Sequence, residues 1–108
     1  MSTEPIWHRA AALSEFEATR KLAREIAGHK ILFCRSGAEI FAIRNVCTHL
    51  GEPLEQGRLM AGQIHCPFHG ACFDLRTGAA MSGPAVYGVR SFPVEMRAGE
   101  IFVLAEAV

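Results

Sequence analysis

The 108-residue sequence predicts an all-β protein of a single domain. Two observations carry that prediction. Short apolar runs rich in Ile, Val and Phe recur along the chain, and glycine-bearing breaks at 28–29, 36–38 and 97–99 separate them as hairpin turns would. The length then bounds the rest: there is room for one modest core and not for a second, catalytic domain.

Ile6 to Ala10 reads as an opening strand, followed by a turn or a single helical turn over residues 11–16. Thr19 to Ala27 and Lys30 to Arg35 read as extended runs joined at Gly28-His29. A helix competes for the first of these, because ALSEFEATRKLAREIA contains good helix formers with apolar residues at Leu13, Phe16, Leu22 and Ile26. Ser36-Gly37-Ala38 marks the next turn, and Glu39 to Ile43 is a strand leading toward Cys47. At the far end, Val89 to Met96 and Glu100 to Leu104 form two strands joined by Arg97-Ala98-Gly99.

Charge and leader signals narrow the class. Eleven basic and eleven acidic residues give a formal net charge of zero and a pI near 7.0, with no basic footprint for nucleic acid. The polar start Met1-Ser2-Thr3-Glu4-Pro5 lacks a secretory pattern, and no run approaches the roughly 18 apolar residues that span a bilayer. A cytoplasmic protein with no membrane partner is expected. Four cysteines in such a chain favour a metal site over a disulfide framework.

The chemistry concentrates in residues 47–73. Cys47-Thr48-His49 and Cys66-Pro67-Phe68-His69 are two copies of a Cys-His unit, with residues 50–65 between them. A thiolate and an imidazole this close in sequence reach one centre only where the backbone turns, and Gly51, Pro53, Pro67 and Gly70 supply turning residues beside each pair. One C-x-H is weak evidence, but two such units in one small chain are strong. The rival is a mononuclear zinc site, which also accepts two thiolates and two imidazoles. Finger-type zinc modules order their ligands Cys, Cys, His, His, whereas the order here is Cys, His, Cys, His.

The segments C-T-H-L-G and C-P-F-H-G resemble the Rieske iron-sulfur family, in which two Cys and two His hold a [2Fe-2S] cluster, one pair on each iron. The resemblance implies Cys47 and Cys66 on the inner iron and His49 and His69 on the outer one. It also implies an antiparallel β-sandwich of small sheets carrying a cluster-binding subdomain, here about residues 45–84, and it favours strand over helix for residues 19–27. Phe73-Asp74-Leu75 with Thr77-Gly78 resembles the strand and tight turn after the second loop. Ser82-Gly83-Pro84-Ala85 resembles the proline segment that covers the cluster from a third side.

Two departures from the family pattern refine this. High-potential members carry a Ser after the second His-Gly and a Tyr two residues later; Ala71 and Phe73 stand there. Two imidazoles in place of thiolates put Rieske centres at about −150 to +300 mV, and missing hydroxyl donors place this one toward the negative end. Members in quinol-oxidising complexes also carry a disulfide across the cluster. Glu52 and Phe68 occupy those positions, so no bridge forms, as suits a reducing compartment. The resemblance is thus to the soluble Rieske-type ferredoxins of bacterial aromatic-ring dioxygenase systems. It implies a one-electron carrier between a flavin-dependent NAD(P)H ferredoxin reductase and a terminal ring-hydroxylating oxygenase. The small Rieske-fold subunit of a nitrite reductase is the alternative.

The remaining residues have plainer readings. Cys34 in ILFC and Cys72 read as buried, unligated thiols, and His65 as structural or surface. Beyond the ligand pair only His8, His29 and His65 remain, too scattered for a catalytic iron site in so short a chain, so no catalysis is expected, and the resemblance implies an electron-transfer component. Leu50, Pro67, Phe68 and Pro84 would form a small apolar docking patch round the outer histidines, with Glu52 and Glu55 either orienting a partner or simply solvating their loop.

Overall fold

The computed structural model describes residues 4–67, 70–82 and 87–108. Their secondary structure is eleven strands and one 3₁₀ turn, Leu13–Phe16. The strands are β1 (Ile6–Ala12), β2 (Lys21–Ile26), β3 (His29–Ser36), β4 (Glu39–Arg44), β5 (Arg58–Met60), β6 (Gln63–His65), β7 (Cys72–Asp74), β8 (Ala80–Ser82), β9 (Ser91–Phe92), β10 (Val94–Arg97) and β11 (Glu100–Ala105). They form three antiparallel sheets: β1-β11-β10 at the back, β2-β3-β4-β9 in the middle and β5-β6-β7-β8 at the front.

The middle sheet is covered on both faces, which explains its unbroken apolar run. Side chains on a strand alternate between faces. Ile31 and Phe33 therefore face the back sheet, packing with Phe16, Ile40, Ala42, Phe92, Ile101 and Val103. Their neighbours Leu32 and Cys34 join Ile43 in a second core with Cys47, Leu54, Ile64, Cys66, Phe73, Leu75 and Val89. Cys34 is a core thiol as its sequence setting indicates, and burial pushes its pKa up to about 12. Leu32 and Ile43 thus form a wall against which both cysteine-bearing loops rest.

Four hairpins close through two-residue loops. Ile26 pairs with His29, Ser36 with Glu39, Met60 with Gln63 and Arg97 with Glu100. Three of the loops are Ala-Gly, at 27–28, 61–62 and 98–99, and both residues of each have positive φ; the fourth has φ +63° at Gly37. This primed-turn geometry matches the right-handed twist of the strands it joins. The first turn is Ala27-Gly28, and His29 already belongs to the β3 ladder.

The sequence and the structure part at three places. Helix propensity over residues 13–27 is overridden: only Leu13–Phe16 coils, and Lys21–Ile26 pairs residue by residue with β3. The expected strand Val89 to Met96 breaks at Pro93, which has no N–H to donate; β9 before it joins β4 and β10 after it joins β11, so the chain changes sheets at the proline. The front sheet as a four-stranded unit has no counterpart in the sequence reading, its strands being three residues each. A periodicity of two is not legible over three residues.

Candidate metal centre

The two Cys-His units sit in loops with the same backbone frame. In the first, the Cys47 N–H donates to the Glu52 carbonyl (2.6 Å) and the Gly51 N–H to the Cys47 carbonyl (2.7 Å). In the second, the Cys66 N–H donates to the Ala71 carbonyl (2.7 Å) and the Gly70 N–H to the Cys66 carbonyl (3.1 Å). Gly51 and Gly70, each four residues past its cysteine, hold φ of +81° and +77°, a conformation L side chains resist. The histidine falls two residues after the cysteine in the first loop and three after it in the second.

The frames bring the sulfurs together. Cys47 is fully buried and Cys66 is 2% exposed, both in the core behind the loops. Burial, opposed by the N–H groups of His49 and Leu50 directed at the sulfur and reinforced by the neighbouring Cys66, raises the Cys47 thiol above its ordinary pKa. A metal ion would displace that proton, and the same N–H groups would then stabilise the thiolate. His49 is partly buried with its Nδ1 atom shut off from solvent. His69 lies outside the described residues, as does Phe68. Among the described residues no three His, Cys, Asp or Glu side chains converge on a single metal-ion position; a two-iron cluster asks for two separate pairs. Two buried sulfurs facing one another, on loops that each bear an imidazole, fit such a cluster.

Several residues that support the loops carry no motif signal. The Asn45 side-chain carbonyl accepts the Leu54 N–H (2.8 Å). Lys21 of the middle sheet donates to the Gly57 carbonyl between the loops. The Thr48 hydroxyl donates to the Tyr87 carbonyl (2.5 Å), tying the first loop to the segment that follows residues 83–86, which are outside the described set. That segment is held in turn by the Val89 N–H, which donates to the Gly78 carbonyl (2.7 Å). Gly78 was legible beforehand as part of the Thr77-Gly78 turn, where the Asp74 carboxylate accepts from the Thr77 N–H (2.8 Å) and hydroxyl (2.9 Å).

The other singled-out residues fall as follows. Cys72 is buried and free; its thiol donates to Gln63 Oε1 (2.8 Å) and lies against the His65 ring, with Nε2 3.3 Å and Nδ1 3.5 Å away. Near-equal distances to both ring nitrogens place the sulfur off either lone-pair direction, so this is packing and not an activated thiol. All four cysteines are free, Cys34 and Cys72 included. His8 and His29 bind the carbonyls of Ala105 (3.0 Å) and Glu106 (2.8 Å) and clasp the end of the chain. Leu50 is 60% exposed and Pro67 is exposed, in keeping with a docking patch, while Pro84 lies outside the described residues. Glu55 is exposed; Glu52 is half-buried, with one carboxylate oxygen buried and without a hydrogen-bond partner among the described residues. Tyr87, 76% exposed beside the first loop, adds an aromatic ring to this surface that the sequence reading did not assign.

Paired Cys-His loops on a stack of small antiparallel sheets are what an iron-sulfur site of the two-cysteine, two-histidine class requires. The Rieske [2Fe-2S] domain model matches residues 6–93, and the chain belongs to that family. It is 36% identical over 98 residues to the anthranilate 1,2-dioxygenase ferredoxin subunit of Burkholderia cepacia, covering 90% of each chain. Among solved structures, the ferredoxin of carbazole 1,9a-dioxygenase from Nocardioides aromaticivorans IC177 superposes with a TM-score of 0.84 at 33% identity, over 93% of this chain and 96% of that one. A ferredoxin solved in complex with its reduced oxygenase in carbazole 1,9a-dioxygenase gives 0.85 at 30% identity, over 95% and 96%. The cofactor is a Rieske-type [2Fe-2S] cluster, and the protein is an electron carrier of the ferredoxin type, not a catalyst. Among the described residues no helix is long and apolar enough to cross a membrane.

Proposed function

We propose that Cys47 and Cys66 hold one iron of the cluster and His49 and His69 the other, and that the chain carries single electrons from a flavin-dependent NAD(P)H ferredoxin reductase to a terminal ring-hydroxylating oxygenase. One observation carries the ligand assignment: two loops with the same hydrogen-bonded frame turn the buried sulfurs of Cys47 and Cys66 toward each other. When bound, the cluster supplies a one-electron couple and no bond-breaking chemistry.

The residues of the chain do the rest. The cysteines keep their side of the site inside the core, so exchange takes place at the histidine side. Leu50 and Tyr87 give the surface beside His49 an apolar character suited to a brief, small encounter. Ala71 and Phe73 are buried and bring no hydroxyl to the sulfurs, which supports a potential low in the Rieske range. None of the four cysteines is in a disulfide, which suits a reducing, cytoplasmic setting. The oxygenase direction is supported by the dioxygenase relatives and by the neighbour solved with its oxygenase; those names favour it over a nitrite-reductase subunit.

Electron paramagnetic resonance of the purified protein before and after dithionite tests this. A signal that arises only on reduction, with hyperfine coupling to two imidazole nitrogens, is expected. A colourless, silent protein containing one equivalent of zinc would overturn it.

A further inference from the structure

We propose that Asn45 is a positioning residue for the cluster, its side-chain carbonyl standing in for a strand partner that the first ligand loop lacks. The inference rests on the ligand assignment above and comes from comparing the mouths of the two loops. The second loop is the end of a hairpin. Outward from Cys66 and Ala71, His65 pairs with Cys72 and Ile64 with Phe73, so the residues two before and seven after the cysteine face each other on a β-ladder. The first loop has the same inner frame but no hairpin behind it. Its entering strand, β4, is paired to β3 and β9, and residues 51–57 on its exit belong to no strand.

The residues two before and seven after Cys47 are Asn45 and Leu54. They are joined, but by a side chain: Asn45 Oδ1 accepts the Leu54 N–H at 2.8 Å. Leu54 and Phe73, the matching residues of the two loops, are both fully buried in the same core. The Asn45 backbone N–H meanwhile donates to the Lys30 carbonyl on β3 (2.9 Å). Asn45 therefore couples the middle sheet to the exit of the first loop and fixes the span between which Cys47 and His49 are presented. Asn suits the task because a short amide reaches a nearby backbone N–H where a ladder is absent. Asp can make the same bond; Ala cannot.

The experiment compares wild type, Asn45→Ala and Asn45→Asp as purified holoproteins by midpoint potential, by the spectrum of the reduced state, by the rate of iron loss to a chelator and by thermal melting. Losing a group hydrogen-bonded directly to a metal ligand costs about 10- to 100-fold in metal affinity, and Asn45, acting through the loop backbone, is placed at the low end of that range. Asn45→Ala is expected to lose iron about 10-fold faster with a shifted potential and altered g values, and Asn45→Asp to restore iron retention and g values, while its added charge lowers the potential by itself. A role in folding alone would lower the melting temperature of Asn45→Ala and leave its spectrum and potential at wild-type values, which would overturn the proposal. So would an Asn45→Asp protein as defective as Asn45→Ala. If Asn45→Ala yields no protein, hydrogen exchange on wild type decides: Leu54 exchanging as fast as exposed Glu55 would overturn it, and protection supports it. A wild-type protein with no signal on reduction would instead remove the ligand assignment, and this proposal with it.

Discussion

Gly78 and Gly88 cross so closely that neither has room for a side chain. A Cβ on Gly78 would lie 1.9 Å from the Val89 carbonyl oxygen, and one on Gly88 would lie 2.5 Å from the Gly78 carbonyl oxygen. The crossing fixes the segment at 87–89, to which Thr48 of the first ligand loop is bound.

Gly78→Ala therefore meets backbone in a conformation already at φ +80°. It is expected to cost more than about 3 kcal/mol and to abolish recovery of folded, iron-loaded protein. Gly51→Ala and Gly70→Ala meet nothing within 4 Å among the described residues and carry strain alone. Each is expected to cost about 1–2 kcal/mol and to fold. Thermal melting and iron content of the three variants check the contrast.

Ala71→Ser tests why the potential should be low. A hydroxyl at this buried position would offer a hydrogen bond to cluster sulfur that strengthens on reduction. A bond to a charged acceptor of about 1.5 kcal/mol corresponds to about 60 mV for one electron. The midpoint potential is expected to rise by about that amount, as read by a spectroscopic redox titration.

His69→Cys acts in the opposite direction. A thiolate in place of a neutral imidazole adds a negative charge next to the site of reduction, so the potential is expected to fall toward the about −400 mV of four-cysteine ferredoxins. An iron-loaded variant with an unchanged or higher potential would show that His69 is not a ligand.

The Ala-Gly turns leave stability to be gained. Ala98 is exposed and holds φ +50°, in the left-handed region that Asn tolerates better at this position of a primed hairpin turn. Ala98→Asn is expected to stabilise by about 0.5 kcal/mol and to raise the melting temperature by about 2–4 °C, without moving the potential.

Acid sensitivity has a defined source at the end of the chain. Bidentate hydrogen bonds from Arg90 (2.6 Å each), with help from its own backbone and His29, hold the Glu106 carboxyl down to about 2. A depressed folded-state value means the stabilisation is complete above the ordinary carboxylate value and is lost as pH falls through about 2. Glu106→Gln is expected to melt lower than wild type by a constant margin at neutral pH, with the margin closing between about pH 4.5 and 2. Melting curves of both proteins across that range check it.

The parts legible in the sequence were those written in residue type. Cys47 and Cys66, each followed closely by a histidine, mark the two loops whose backbone frames match, and their order with His49 and His69 is what prompts the ligand assignment proposed above. ILFC announces a strand because Ile31 to Cys34 must be apolar on both faces when both are covered. The parts that were not legible depend on partners far away in sequence. Asn45 looks like any loop polar residue until Leu54 is seen against it, and Tyr87 acquires a place only through Thr48. The strand expected over Val89 to Met96 shows the same limit, since Pro93 was visible but not the two sheets it divides. The matched frames did leave a trace: a glycine stands four residues after Cys47 and four after Cys66.

The doubled loop frame bears on how quickly a carrier of this kind can work. Each ligand-bearing turn is cross-linked by its own backbone and backed by Leu32 and Ile43, so its atoms have little room to rearrange when charge arrives. A site whose coordinates barely differ between its two oxidation states has a small reorganisation energy. A carrier built this way would pass its electron on nearly the same nuclear geometry in both directions, so that the frequency and closeness of partner encounters would set its turnover.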